Sequence, residues 1–381
     1  MTRRAKYRKR LPQLDGGPFL TDGGLETTLI FHEGWDLPCF AAFVLLDSDR
    51  GRKALRDYFR RYIPMAIEAG AGFILESPTW RANPDWGKKV GYSPDALVHV
   101  NRDAIDLMHQ IRERFETTTS PMVVSGAIGP RGDGYDPGTL MRPDEAASYH
   151  AFQIGLFRDA GADLVSAFTM TSSSEAQGVA LAAKAASMPC VIAFTLETDG
   201  LLPTGESLAQ AIGTVDAATG NSPAYYMINC AHPTHFNHVL DADGAWIKRI
   251  RGLRANSSRC SHAELDNAPE LDMGNPHELG GQYANLVRRF PHIRWLLRHR
   301  SPPCALHQRG MSTRGLSILT SWEVVDERRF FSRHRPFTSR LLVSCRRHGD
   351  LANCLVPMSG HSAAILERRN SRRSWDIRAS P

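Results

Sequence analysis

Residues 18–29 read Pro18-Phe19-Leu20-Thr21-Asp22-Gly23-Gly24-Leu25-Glu26-Thr27-Thr28-Leu29. A short apolar run stops at a polar residue, two glycines follow, and an amphipathic stretch opens behind them. That order predicts a strand, a turn and the start of a helix. A glycine pair directly behind a strand also lets a ligand approach the backbone. Asp22, at the strand end, can accept hydrogen bonds from an ammonium group. Taken alone, Asp-Gly-Gly is a common turn.

The same theme recurs along the chain. Apolar runs lie at Gly72–Leu75, Met122–Ser125, Leu164–Phe168, Cys190–Phe194, Tyr225–Ile228 and, more weakly, Ile250–Leu253. Helical patterns lie between them at Lys53–Ala69, Ser93–Arg114, Pro143–Ala160, Ser174–Ser187 and His277–Arg289. Alanine-rich periodic stretches with charge on one face support helix, and Gly70 and Gly161 close two of them. Strands alternating with helices imply βαβ units and a parallel sheet. Seven such strands, with room for an eighth near His292, point to an α/β fold, a (β/α)8 TIM barrel. An open doubly wound sheet is the competing architecture, but no GxGxxG follows the first strand. In a barrel the loops behind the strands build the site, so chemistry is sought just C-terminal to each apolar run.

Charge is unevenly spread. The formal net charge is +6, but residues 294–381 hold 17 Arg, no Lys and 6 acidic residues, which leaves 29 basic against 34 acidic groups in residues 1–293. The body is mildly acidic, and the basicity of the whole chain is not a nucleic-acid footprint. Seven cysteines without regular spacing argue against a disulfide framework and for a reducing compartment. No apolar run is long enough for a membrane span. The basic stretch Met1–Arg10 is followed by no apolar segment, so a secretory signal is not expected and the expected address is cytoplasmic; an organellar transit peptide is the competing reading.

Behind the third run comes Ser125-Gly126-Ala127-Ile128-Gly129-Pro130-Arg131-Gly132-Asp133, a shaped loop or a plain turn. Behind the fifth come Glu197-Thr198-Asp199-Gly200 and Gly205-Glu206-Ser207-Leu208, whose acids also suit helix capping. Behind the sixth comes Met227-Ile228-Asn229-Cys230-Ala231-His232-Pro233-Thr234-His235-Phe236. A cysteine at a strand end can bind zinc as its thiolate, although a lone cysteine is more often core.

In this order the segments resemble the homocysteine S-methyltransferase domain, whose members carry Asp-Gly-Gly or Asp-Gly-Ala after strand one, Gly-x-x-Gly-Pro after strand three and Asn-Cys after strand six. Residues 18–293 follow that order. The resemblance implies a zinc ion held by three thiolates with an open fourth position for the homocysteine sulfur. The metal keeps that sulfur a thiolate, which attacks a methyl group on an activated donor to give methionine. Cys230 is then the first zinc ligand, and Asp22, Gly23, Gly24, Glu26 and Asn229 line the substrate site, with Asp22 on the amino group. Many members also place Glu after strand four; here Phe168-Thr169-Met170-Thr171 has Thr169 in its place. The methyl donor is not readable. The loop Glu76–Asn83 is expected to line its pocket, where Trp80 could cradle a methylated cation.

The family's other two zinc ligands belong to a Gly-Gly-Cys-Cys-Gly segment after strand eight. The chain instead reads Arg294-Trp295-Leu296-Leu297-Arg298-His299-Arg300-Ser301-Pro302-Pro303, and no cysteine pair occurs anywhere. Plausible codons for these residues, CGG TGG CTG CTG CGG CAC CGA TCA CCG CCA, followed by the T of Cys304 and read one base later, translate as Gly-Gly-Cys-Cys-Gly-Thr-Asp-His-Arg-His. Residues 294–381 thus read as an out-of-frame tail. Their arginines are scattered without a motif or aromatic platform, which disfavours the alternative of a nucleic-acid-binding extension.

The expected organisation is a basic N-terminal arm over 1–15, a barrel over 16–297 with an imperfect eighth strand, and an irregular tail over 298–381. The expected partners are homocysteine or a related thiol and a methyl donor, with neither nucleic acid nor membrane. With one zinc ligand in place, the metal is not expected to be retained. His232 and His235 could join Cys230 in a Cys-His-His site, but are expected rather to shape the substrate pocket around the rigid Pro233. Two functions remain open: a zinc methyltransferase of methionine biosynthesis, and a catalytically dead barrel remnant.

Overall fold

A computed structural model of the protein describes residues 4–15, 17–268, 271–293 and 295–296. The expected tail, residues 298–381, lies outside the described residues. Seven parallel strands form one curled sheet: β1 (Phe19–Thr21), β2 (Gly72–Glu76), β3 (Met122–Ile128), β4 (Leu164–Met170), β5 (Cys190–Thr195), β6 (Tyr225–Asn229) and β7 (Ile250–Arg254). Each pairs with the next in sequence. A two-residue strand, β8 (Trp295–Leu296), pairs with Gly252–Leu253 of β7 and with Phe19–Leu20 of β1, so the strand order closes on itself.

The expected helices form with their ends moved by caps. Ser48 accepts a hydrogen bond from the Gly51 N–H, so the first long helix starts at Asp49 and runs to Glu68. Ser93 and Ser172 cap Pro94–Phe115 and Ser173–Ala185 in the same way. Two further helices, Leu208–Thr219 and Pro233–Leu240, fill the gaps after β5 and β6. Among the described residues no helix is long and apolar enough to cross a membrane.

Alternation along the strands makes two cores. Phe19, Ile74, Val123, Ala127, Leu164, Phe168, Val191, Ala193, Tyr225 and Met227 pack inside the ring of strands. The opposite faces pack on the helices through residues such as Phe73, Val124, Val165, Ile192 and Ile228. Leu11, from the basic N-terminal segment, joins the inner cluster. That segment is tied down by Asp163, which stands just before β4 and is fully buried in its ion pair with Arg112 at 2.6 Å. Its carboxylate accepts the backbone N–H groups of Lys6 and Tyr7, both at 2.7 Å, and of Val124 at 2.9 Å.

Candidate functional site

The C-terminal ends of the strands bring together side chains far apart in sequence. Asp22, directly after β1, is 2% exposed. Its Oδ2 accepts from Tyr58 Oη at 2.9 Å and from the Arg254 guanidinium at 3.4 Å, whereas its buried Oδ1 has no partner. Burial raises the Asp22 carboxyl above its ordinary range, and Arg254 and Tyr58 offset that in part. The Gly23 carbonyl also accepts from Arg254. A side chain at Gly23 would put its Cβ 2.5 Å from Tyr62 Oη, so this approach to the backbone depends on glycine. Glu26, half-buried on the helical turn behind the glycines, is pushed up to about 6, chiefly by burial.

Glu76 ends β2. Ile74 packs inside the ring, so Glu76, two residues on, faces the same way. Its Oε1 accepts from Ser166 Oγ at 3.2 Å, and Ser166 Oγ lies 2.8 Å from Ser125 Oγ. Its Oε2 is buried without a partner. Burial pushes the Glu76 carboxyl up to about 7; the Ser125 hydroxyl and Arg254 pull the other way, and the charge of Asp22 adds to the rise. Arg254, at the end of β7, lies over the Phe168 ring at 4.9 Å. Burial disfavours its charge, but Asp22, Tyr58 and Glu76 outweigh that and hold it cationic.

Cys230 follows β6 with φ at 56°, and Thr169 on β4 has φ at 60°, both in the left-handed region. Asn229 holds both residues. Its Oδ1 accepts from the Thr169 N–H at 3.0 Å, and its Nδ2 donates to Thr169 Oγ1 at 3.0 Å and to Cys230 Sγ at 3.1 Å. The Cys230 N–H donates to the Arg254 carbonyl at 2.9 Å. The Cys230 carbonyl accepts from Asn256 Nδ2 at 3.1 Å and from His262 Nε2 at 2.6 Å. His262 in turn reaches Glu197 Oε1 at 3.1 Å and stacks on Tyr135 at 4.1 Å.

The two histidines that could have joined Cys230 in a metal site are otherwise engaged. His232 caps the helix Pro233–Leu240, its Nδ1 accepting from the Thr234 N–H at 3.2 Å. Burial pushes His232 down to about 4, with His235 and Arg259 adding to the fall. His235 Nε2 donates to the Arg259 carbonyl at 2.9 Å. Among the described residues no group of three His, Cys, Asp or Glu side chains can hold a metal ion. Cys230 with no such group around it among the described residues does not fit a zinc centre.

Trp80 stands in the loop behind β2, with Nε1 3.5 Å from the Phe168 carbonyl. The Arg81 guanidinium covers one face of its ring at 4.1 Å and also lies 3.9 Å over Trp86. Gly129, in the loop behind β3, must be glycine because a Cβ there would stand 2.4 Å from the Trp80 carbonyl. Glu206 accepts from the Ser173 N–H at 3.0 Å and from Thr204 Oγ1 at 2.9 Å, a loop-fastening role.

Asp22, Gly23 and Glu26 therefore cluster at one mouth, with Asn229 and Cys230 tied to it through Arg254. Arg254, Tyr58 and His262 were not anticipated, and Glu76 was read only as part of a donor loop. Glu76 and Arg254 both directly follow apolar runs, which is the signal that could have found them.

A family model described as homocysteine S-methyltransferase matches residues 19–282. A selenocysteine Se-methyltransferase of Brassica oleracea var. italica is 25% identical over 249 residues, covering 59% of this chain and 68% of that protein. Homocysteine S-methyltransferase 3 of Arabidopsis thaliana is 22% identical over 253 residues, covering 59% of this chain and 70% of that protein. Among solved structures, the metallated form of the Escherichia coli homocysteine methyltransferase MmuM superposes with a TM-score of 0.57 at 18% identity, covering 76% of this chain and 94% of that one. Its oxidized form gives 0.56 at 18% identity, covering 79% and 99%. At that identity these structures speak for the fold alone.

Proposed function

This chain belongs to the homocysteine S-methyltransferase family, and on that premise we propose that its strand-end pocket takes a sulfur amino acid, homocysteine or a related thiol, as the acceptor in methyl transfer. The observation that carries this reading is Asp22, a buried carboxylate behind a Gly-Gly backbone with one oxygen unpartnered. It suits an ammonium group. Asn229 fixes Cys230 where the acceptor sulfur arrives. The fold is then a (β/α)8 barrel, a reading supported by the pairing of Trp295–Leu296 with both neighbours.

In the transfer itself a sulfur–carbon bond forms, the donor's bond to its methyl carbon breaks, and that bonding pair leaves with the donor. The thiol proton goes to solvent. A zinc ion would supply thiolate activation in this family, but the described residues do not fit it, so no step is assigned to the metal. That misfit favours a second reading, a barrel that binds the amino acid without transferring methyl. Incubation of the purified chain with L-homocysteine and S-methylmethionine or betaine, with methionine read by mass spectrometry, separates the two. Enzyme-dependent methionine identifies a transferase. None formed, with homocysteine still bound, identifies a binding protein, and no binding at all removes both readings.

A further inference from the structure

Two carboxylate oxygens at the barrel mouth lack any donor: Asp22 Oδ1 and Glu76 Oε2. Asp22 is 2% and Glu76 5% exposed, so bulk water does not solvate them. Leaving a buried carboxylate oxygen unpaired is costly. The strands carrying them are neighbours, with Thr21 opposite Ile74, and the two acids follow that pair by one and two residues. Both share one cation, Arg254, whose guanidinium reaches Asp22 and the Gly23 carbonyl. Two acids against one guanidinium leave the site a positive charge short, a deficit that a proton on Glu76 fills while no other cation is bound. The groups that face Glu76 are Asp22, Arg254, Tyr225 and the hydroxyls of Ser125 and Ser166. The Ser166 hydroxyl serves the other oxygen, Oε1.

The geometry points to Glu76 as the second carboxylate of an amino-group subsite, where it and Asp22 jointly take the primary ammonium of an α-amino acid. This rests on the acceptor pocket proposed above. A primary ammonium can donate N–H bonds to both free oxygens, which a quaternary ammonium cannot.

The test is calorimetric titration of the full chain with L-homocysteine and with 4-mercaptobutanoate, the same thiol acid without the amino group. Glu76→Gln is expected to weaken homocysteine on the order of 10- to 100-fold, the range for a lost hydrogen bond to a charged group. It is expected to leave 4-mercaptobutanoate unchanged. Wild type should also release a fraction of a proton on binding homocysteine near pH 7, because the incoming cation drives Glu76 to ionise. That release should vanish in Glu76→Gln, which a purely structural role would not cause. Glu76→Asp, which keeps the charge but shortens the reach, should also weaken homocysteine and replaces the Gln variant if that fails to fold. Unchanged homocysteine affinity in Glu76→Gln, with Asp22→Asn weakened, overturns the role of Glu76 and leaves the pocket standing. No binding of either thiol by wild type overturns the pocket and this role together.

Discussion

Asn229 at the end of β6 reaches past β5 and clamps Thr169 on β4 through two hydrogen bonds of 3.0 Å. The same amide nitrogen donates to Cys230 Sγ at 3.1 Å. One side chain thus fastens two residues whose backbones are left-handed, at 60° and 56°. Such a conformation is unfavourable for residues with a Cβ and persists only where the surroundings impose it.

Asn229→Ala removes the acceptor of a buried N–H and frees both turns. It should destabilise the fold by roughly 2–3 kcal/mol. The shift in urea midpoint measures this, and a change under about 0.5 kcal/mol, the range of ordinary surface substitutions, would show that the clamp is dispensable.

Glu76 is raised to about 7 and Glu26 to about 6. A carboxyl raised by folding binds its proton more tightly in the native state. Its contribution is therefore most favourable below pH 4.5, the ordinary value, and is lost as pH rises through 6 to 7. Glu76→Gln removes the Glu76 share. The variant should be more stable than wild type at pH 8, by roughly a few kcal/mol, and lose that advantage near pH 5. Unfolding at both pH values checks this; an equal difference at the two would contradict it.

Asp163 is fully buried and receives Arg112, two backbone N–H groups of the N-terminal segment and one of β3. Asp163→Ala leaves a buried guanidinium uncompensated, at a cost of roughly 3–5 kcal/mol. It should also release residues 4–10, so that trypsin cuts at Lys6, Arg8 and Lys9 faster than in wild type. Unaltered cleavage would mean that other contacts secure the segment.

The purified chain should hold far less than one equivalent of zinc. A gene shifted by one base ahead of codon 294, so that Gly-Gly-Cys-Cys-Gly is restored, should give a protein binding about one zinc per chain with Cys230 as third thiolate. Elemental analysis of both proteins decides it. Equal zinc in the two would refute the account of residues 294–381.

The strands were legible because burial on both faces leaves continuous apolar runs: Met122–Ser125 and Tyr225–Ile228 sit inside the observed β3 and β6. Leu208–Thr219 and Pro233–Leu240 were not foreseen as helices. The first offers few charges to mark an outer face, and the second is only eight residues long. In the site, Asp22, Gly23 and Cys230 could be read from local motifs. Arg254 could not, since its partner Asp22 is 232 residues away in sequence and only the curled sheet brings them together. Glu76 ended an apolar run within plain view, but its solitary Oε2 is a fact of packing, which no local pattern records.

The most direct test of the acceptor pocket is a crystal structure of the full chain grown with L-homocysteine under reducing conditions. The account predicts the amino nitrogen at about 2.7–3.0 Å from Asp22 Oδ1, with the sulfur directed toward Cys230. Homocysteine bound elsewhere, or its amino group turned away from Asp22, would contradict it.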